Sequence, residues 1–308
     1  MTLTKGEVKV LTHIKGGKTL KELSNELGLS KGYLSTILHS LERKGLVVFE
    51  GKKPLIIKPA ENKVMIIFRL VQKSFSYLPL DELLSGGNLK VLSALKVETP
   101  QPLWLLLLRA NVSRATLYRA LKELRERLIV GKREEGYFLV ERFAPLKTFA
   151  DEYFYLQNSM KAMEFDPNAT LVWSGVEEMI LATTTFKGKS VDGFQLTGLA
   201  RFSDYGIPLI SSGIYHYYWP AEELSLEDVV VHTLVSLYGA RELLYVIVLL
   251  KTHPFDKKKL QMLATKFEVI NTLNDILEYL AGKKKAYPFP SEEEVKELCN
   301  QYFGGCEE

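Results

Sequence analysis

The sequence predicts an α+β protein whose front half uses one small helical unit twice and whose back half is a mixed α+β domain. Three observations predict it. A pattern of three apolar-periodic helices followed by a β-rich hairpin begins near Lys5 and returns near Leu89. Beyond Pro145 that pattern gives way to short strands, glycine turns and then a run of helices. The charge divides at the same place: residues 1–60 carry a net +6, residues 61–144 a net +5 and residues 145–308 a net −8. A chain of 308 residues with 46% hydrophobic and 25% charged side chains fits two or three globular domains.

The first unit, residues 1–60, opens with a helix carrying Val8, Leu11 and Ile14 and ending at Gly16-Gly17. A second helix, Thr19–Leu27, places Leu20, Leu23 and Leu27 on one face, and a tight turn follows at Gly28-Leu29. Ser30 stands where a helix N-cap belongs, its hydroxyl able to satisfy a free backbone N–H. The third helix buries Leu34, Ile37, Leu38 and Leu41 and stops near Gly45. Two β-rich runs, Leu46–Glu50 and Leu55–Lys58, are joined by Gly51-Lys52-Lys53-Pro54, a hairpin with a basic tip.

Helix, helix, turn, helix and hairpin is the order of a winged helix-turn-helix. A helix fits the major groove of duplex DNA, and the hairpin can lie along a neighbouring phosphate strand. With the leucines inward, the opposite face offers Gly32, Ser35, Thr36, His39 and Arg43. Small and hydrogen-bonding residues there suit close approach to bases. Lys31 at the helix start, with Lys52 and Lys53 in the hairpin, suits phosphates. The stretch TLKELSNELGLSKGYLSTILHSLERKGLV resembles the DNA-binding domain of MarR-like and TrmB-like regulators. The resemblance implies a transcription regulator bound to double-stranded DNA. The alternative is a winged helix used only for protein contacts.

The unit then repeats over residues 87–144. Leu29-Ser30-Lys31 returns as Val112-Ser113-Arg114, and Leu34, Ile37, Leu38 and Leu41 as Leu117, Ala120, Leu121 and Leu124. The third helices stand 83 positions apart and the first helices 81, so the second copy gains two residues between them. Its outward helix face offers Tyr118, Arg119 and Lys122 beside Arg114, and its hairpin carries Lys132 and Arg133. This is the more basic of the two faces. Its second helix departs from the pattern, because Leu103–Leu108 is apolar all round and should be buried on more than one side. That helix is expected to pack on the back half or to form a seam with a second copy or a protein partner. Between the units, residues 61–86 read as a helical linker bearing Val64, Ile67, Phe68 and Val71, with a break at Pro79.

Residues 145–308 are expected to serve partner, effector or dimer contacts. A helix runs over Pro145–Glu164, strands over Leu171–Trp173 and Ile207–Tyr218, and turns sit at Lys187-Gly188 and Asp192-Gly193. Helices follow at Leu226–Leu237, Ala240–Lys251, Asp256–Glu268, Asn271–Leu280 and Ser291–Tyr302. Two stretches, Thr197-Gly198-Leu199-Ala200 on to Pro208 and Ser225-Leu226-Glu227-Asp228 through Val231–Leu234, resemble the C-terminal domain of AbiE-type antitoxin regulators and their archaeal relatives. Members of that family carry one winged helix where this chain has two.

Signatures of catalysis are scarce, and neither an enzyme nor a cofactor is expected. Gly16-Gly17-Lys18-Thr19 imitates the end of a phosphate-binding loop, but Thr12 stands where the first glycine belongs and a helix precedes it. There is no His-Glu-x-x-His. His216 among Tyr215, Tyr217, Tyr218 and Trp219 could line a pocket, stack on bases or fill a core, and core is the usual fate. His232 reads as a satisfied core histidine. Cys299 and Cys306 are the only cysteines, expected as incidental thiols rather than a disulfide framework or a metal site. The most apolar runs, Leu103–Leu108 and Leu243–Leu250, are too short to span a bilayer, and no signal peptide is apparent, so a cytoplasmic protein is expected.

Overall fold

Thr4 starts the first element: its hydroxyl accepts the Glu7 N–H while the Glu7 carboxylate accepts the Thr4 N–H. The helix so capped, α1 (Lys5–His13), leads through β1 (Lys18–Thr19) into α2 (Leu20–Leu27) and α3 (Lys31–Arg43). The hairpin β2 (Val47–Glu50) and β3 (Ile56–Pro59) follows, and β1 pairs with β3 to make a small antiparallel sheet of order β1-β3-β2. The computed structural model describes residues 2–209, 213–237 and 239–305.

After α4 (Lys63–Ser74) and the short α5 (Leu80–Leu83), the same order returns as α6 (Gly86–Ala94), α7 (Leu103–Ala110), α8 (Arg114–Glu126), β4 (Val130–Arg133) and β5 (Gly136–Leu139). The repeat extends to individual backbone conformations. The helix before each turn ends on a left-handed residue, Gly28 (φ 63°) in one copy and Asn111 (φ 48°) in the other. A second left-handed residue ends the long helix, Gly45 (φ 69°) or Leu128 (φ 57°). Leu46 and Ile129 then donate to Leu41 and Leu124 in the same way. Leu128 is the odd member, a leucine 77% exposed in a conformation that glycine adopts without strain. The two extra residues of the second copy lie between α6 and α7. There residues 96–101 run beside β5: Glu98 and Gln101 donate to Leu139 and Tyr137, and Leu139 and Tyr137 donate to Lys96 and Gln101.

The chain forms two compact units, Met1–Gln157 with Gly175–Glu177, and Asn158–Ser174 with Glu178–Glu308. The first contains both copies and one continuous core. The segment after residue 60 is part of that core, since Val64, Ile67, Phe68 and Val71 are all buried in it. Residues of α9 (Ala144–Phe165), among them Phe149, Tyr153 and Phe154, also fill it. α7 departs from its apolar sequence: Leu105 and Leu106 are buried, Leu103 and Leu107 pack half-buried on the core, and Trp104 remains 39% exposed. Its outer face is thus not sealed within this unit.

A five-stranded sheet of order β6-β7-β10-β9-β8 lies at the centre of the second unit: β6 (Thr170–Gly175), β7 (Glu178–Thr183), β8 (Ser190–Val191), β9 (Phe194–Thr197) and β10 (Tyr215–Trp219). β10 pairs antiparallel with β7 and β9. One sheet face, carrying Phe194, packs with Phe165, and the other shares a core with α10 (Leu226–Val235), α11 (Ala240–Thr252) and the helices α12 (Lys257–Lys266), α13 (Ile270–Leu280) and α14 (Glu292–Phe303). The strand expected over Ile207–Tyr218 is shorter, Tyr215–Trp219, and residues 210–212 of that expectation lie outside the described residues. Gly206 and Gly213 take left-handed φ and Pro208 lacks a donor, which keeps the described residues 207–209 and 213–214 out of the ladder. A 3-10 turn, Gly198–Tyr205, was not expected. Cys299 is buried and disulfide-bonded rather than an incidental thiol, and Cys306 lies outside the described residues. Among the described residues no helix is long and apolar enough to cross a membrane.

Candidate nucleic-acid interface

The two long helices α3 and α8 carry the candidate surface. Ser30 and Ser113 cap them, each hydroxyl accepting the backbone N–H three residues on, from Tyr33 and Thr116 at 3.3 Å. Those hydroxyls hold the helix starts. Burial of Leu34, Ile37, Leu38 and Leu41 in α3 fixes which residues face outward. Lys31, Gly32, Thr36 and Arg43 are exposed, and a Cβ on Gly32 would meet nothing within 4 Å. Two expected members differ. Ser35 is half-buried, because it sits beside Leu34 and Leu38 at the edge of the apolar stripe. His39 is exposed but engaged: its Nδ1 lies 3.2 Å from the Glu42 carboxylate and its ring meets Phe49 edge-on at 5.1 Å. Lys52 and Lys53 are exposed at the hairpin tip, as expected.

In the second copy Arg114, Tyr118, Arg119 and Lys122 are all exposed above buried Leu117, Ala120, Leu121 and Leu124. The Arg114 guanidinium lies 5.8 Å from the Tyr118 ring centre. Arg119 makes only long bonds to its own helix, 3.4 Å to the Ala115 carbonyl and 3.4 Å to the Thr116 hydroxyl. Lys132 is exposed beside the Tyr137 ring. Arg133 is committed locally: it donates to the Glu98 carbonyl at 3.1 Å, pairs with the Glu98 carboxylate at 3.3 Å and lies over Phe138. Two residues escape a reading of the sequence, Arg125 and Tyr137. They help line a groove of about 400 Å³ between α8 and the hairpin. Aligning the copies flags Arg125, which stands where the first copy has Glu42.

A different polar cluster lies inside the second unit. His232 is fully buried, stacked on Tyr218 at 4.7 Å and hydrogen-bonded through Nδ1 to the Thr197 hydroxyl at 2.8 Å. Tyr218 donates to Glu178 at 2.9 Å, and Lys266 pairs with the same buried carboxylate. Burial raises the Glu178 carboxyl against the pull of Lys266, and burial pushes His232 down to about 3 although Asp228 opposes it. His216 and Tyr217 are buried too, so the aromatic cluster fills core. Among the described residues no group of acidic, histidine or cysteine side chains could hold a metal ion.

Residues 191–304 match the family model described as HVO_2833_C, C-terminal. No curated protein and no solved structure matches the chain. The HVO_2833_C match covers β9, β10 and the helices α10 to α14, and so includes Thr197, Tyr218, His232 and Lys266. It does not reach α3 or α8.

The neutral His232 makes the second unit acid-sensitive in a defined window. Its folded pKa of about 3 is below the ordinary 6.5, so between those values the unfolded chain binds more protons and stability falls as pH falls. Thermal unfolding across pH 6.5 to 4 is expected to show that loss, and His232→Gln to flatten it. An unchanged slope in the variant would assign the acid sensitivity to other groups.

Proposed function

We propose that this chain is a DNA-binding transcription regulator with no catalytic role, cytoplasmic, placing two non-identical winged helix-turn-helix units on an asymmetric duplex site. One observation carries the reading: α8 turns Arg114, Tyr118, Arg119 and Lys122 outward from an apolar inner face, followed by a hairpin as in a winged helix. The net +11 of residues 1–144 supports it, because a polyanion is the partner such a surface attracts. The back half, with a net charge of −8, is then left for effector or partner contacts.

The test uses the full chain and duplex DNA, first random and then a fragment selected from it. Affinity should fall linearly with salt on a logarithmic plot. Arg119→Ala should cost about 1–3 kcal/mol on the selected site and relax its sequence preference, because arginine pairs bidentately with guanine. Thr36→Ala should cost less. Equal loss on both DNAs would reduce Arg119 to a phosphate contact, and absence of salt-sensitive binding would overturn the reading.

Trp104 favours a second reading, an interaction unit docking through α7. Its exposure on that helix, beside half-buried Leu107 and Leu108, leaves an apolar edge. If Leu107→Glu turns a dimer into a monomer while DNA binding is absent in both, that reading takes over.

A further inference from the structure

The two copies differ at one place on the same surface. In the first, the space between α3 and its hairpin is filled: Phe49 of β2 packs edge-on to His39, and Glu42 binds that imidazole. The second copy has Lys132, Lys122 and Arg125 at the corresponding positions. There the space is open, a groove of about 400 Å³ lined by Tyr118, Leu121, Lys122, Arg125, Glu126 and Tyr137. The buried Tyr137 ring forms its floor, with the Lys132 ammonium 5.5 Å and the Arg125 guanidinium 6.0 Å from the ring centre. Glu126 answers Lys122 only at 3.9 Å, with both side chains exposed, which makes a weak pair.

The hairpin tips change in the opposite sense. Lys52 and Lys53 sit in the five-residue loop that joins β2 to β3, whereas the second hairpin turns on two residues, Glu134 and Glu135. Positive charge has moved from the tip of the hairpin to its strand and the facing helix: Lys132 pairs with Tyr137 behind the turn, opposite Lys122 and Arg125 of α8. A short acidic tip repels a phosphate strand, while cations held against an aromatic ring are partly ordered before any ligand arrives.

We propose that the groove between α8 and the second hairpin is a phosphate seat. It takes a backbone phosphodiester of the duplex whose bases α8 meets, with Lys122, Arg125 and Lys132 supplying the charge and the Tyr118 hydroxyl a hydrogen bond. The inference rests on the DNA-binding reading and assigns a different docking mode to each copy: helix plus hairpin tip in the first, helix plus hairpin strand in the second.

Salt titration of duplex binding by the full chain tests it. Taking away one cation that neutralises a phosphate lowers the slope of log affinity against log salt by about 1. Arg125→Ala should do so, weakening random and selected duplexes alike, while Arg125→Lys keeps the slope. Glu134→Gln with Glu135→Gln should leave it unchanged. Arg125 is exposed, so its removal spares the core. Inorganic phosphate at constant ionic strength should compete no better than chloride, since the seat is part of a larger interface; strong competition would make it a free-anion site instead. If the natural chain binds with a salt slope that Arg125→Ala and Lys132→Ala leave intact, the seat is wrong and the DNA reading stands. If the natural chain shows no salt-dependent binding, both fall.

Discussion

Lys44→Met is expected to destabilise the first unit by about 3–5 kcal/mol, because it leaves a carboxylate buried without its cation. Lys44 and Glu7 are 7% and 3% exposed at the side chain and meet at 2.6 Å. The rest of the site is satisfied: Lys44 also donates to the Thr2 carbonyl at 3.0 Å, and Glu7 accepts from Ser40 at 2.6 Å and from the Thr4 amide at 2.7 Å. Burial alone would raise the Glu7 carboxyl. The Lys44 ammonium, the Ser40 hydroxyl and the Thr4 amide outweigh it and hold the group below its usual range. A depressed carboxylate contributes stability above its unfolded pKa, and that contribution is lost as pH falls. Without Lys44 the sign reverses: the lone carboxyl prefers its proton, so the gap between variant and natural chain should narrow on acidification. Glu7→Gln combined with Lys44→Met should recover much of the loss. Urea unfolding read by hydrogen exchange at the α1 and α3 amides measures each step. Additive losses in the double variant would show that the two groups are not energetically coupled.

Much of this molecule is legible in its sequence because helices announce themselves over three or four turns. Leu34, Ile37, Leu38 and Leu41 repeat at helical spacing, and Ser30 and Ser113 mark the starts. The helices after Leu226 lie within about two residues of their expected ends for the same reason. Strands are less readable. β7, Glu178–Thr183, is buried almost throughout, so it lacks the alternation that marks a half-exposed strand. β1 is two residues long, and its counterpart over residues 96–101 consists of bridges alone. Nothing that short leaves a period. At the candidate interface the outward cations of α8 are legible from periodicity. The engagement of His39 by Phe49 and of Arg133 by Glu98 is not, since each depends on which hairpin strand returns beside which helix or bridge. The Arg125–Tyr137 groove is hidden for the same reason. Its visible trace is the change of His39, Glu42 and Phe49 to Lys122, Arg125 and Lys132 between the copies.

Gly136→Ala is expected to be the most damaging single-methyl change in the second copy. Gly136 has φ 146°, where side chains are rarely tolerated, and a Cβ there would collide with the Gln101 carbonyl, a backbone atom that cannot rotate away. The same carbonyl accepts the Tyr137 N–H at 2.9 Å, and Gln101 donates back to Tyr137 at 2.8 Å. Relief of the collision must therefore pull residues 96–101 off β5 and give up these bonds together. Gly28 supplies the control: φ is 63° but nothing lies within 4 Å of a Cβ, so Gly28→Ala should cost only the left-handed strain, about 1–2 kcal/mol. Gly136→Ala adds overpacking against backbone, about 1–3 kcal/mol more. The two variants also separate stability from function. Tyr137 is the floor of the α8 groove and follows Gly136 directly, so a shift of β5 disturbs the cations above it. Gly136→Ala should then reduce the salt slope of duplex binding even at temperatures where the chain remains folded, while Gly28→Ala should leave that slope alone. Equal melting temperatures for the two variants would mean that the Gln101 bridge yields freely, and the close packing of residues 96–101 on β5 would no longer explain the glycine.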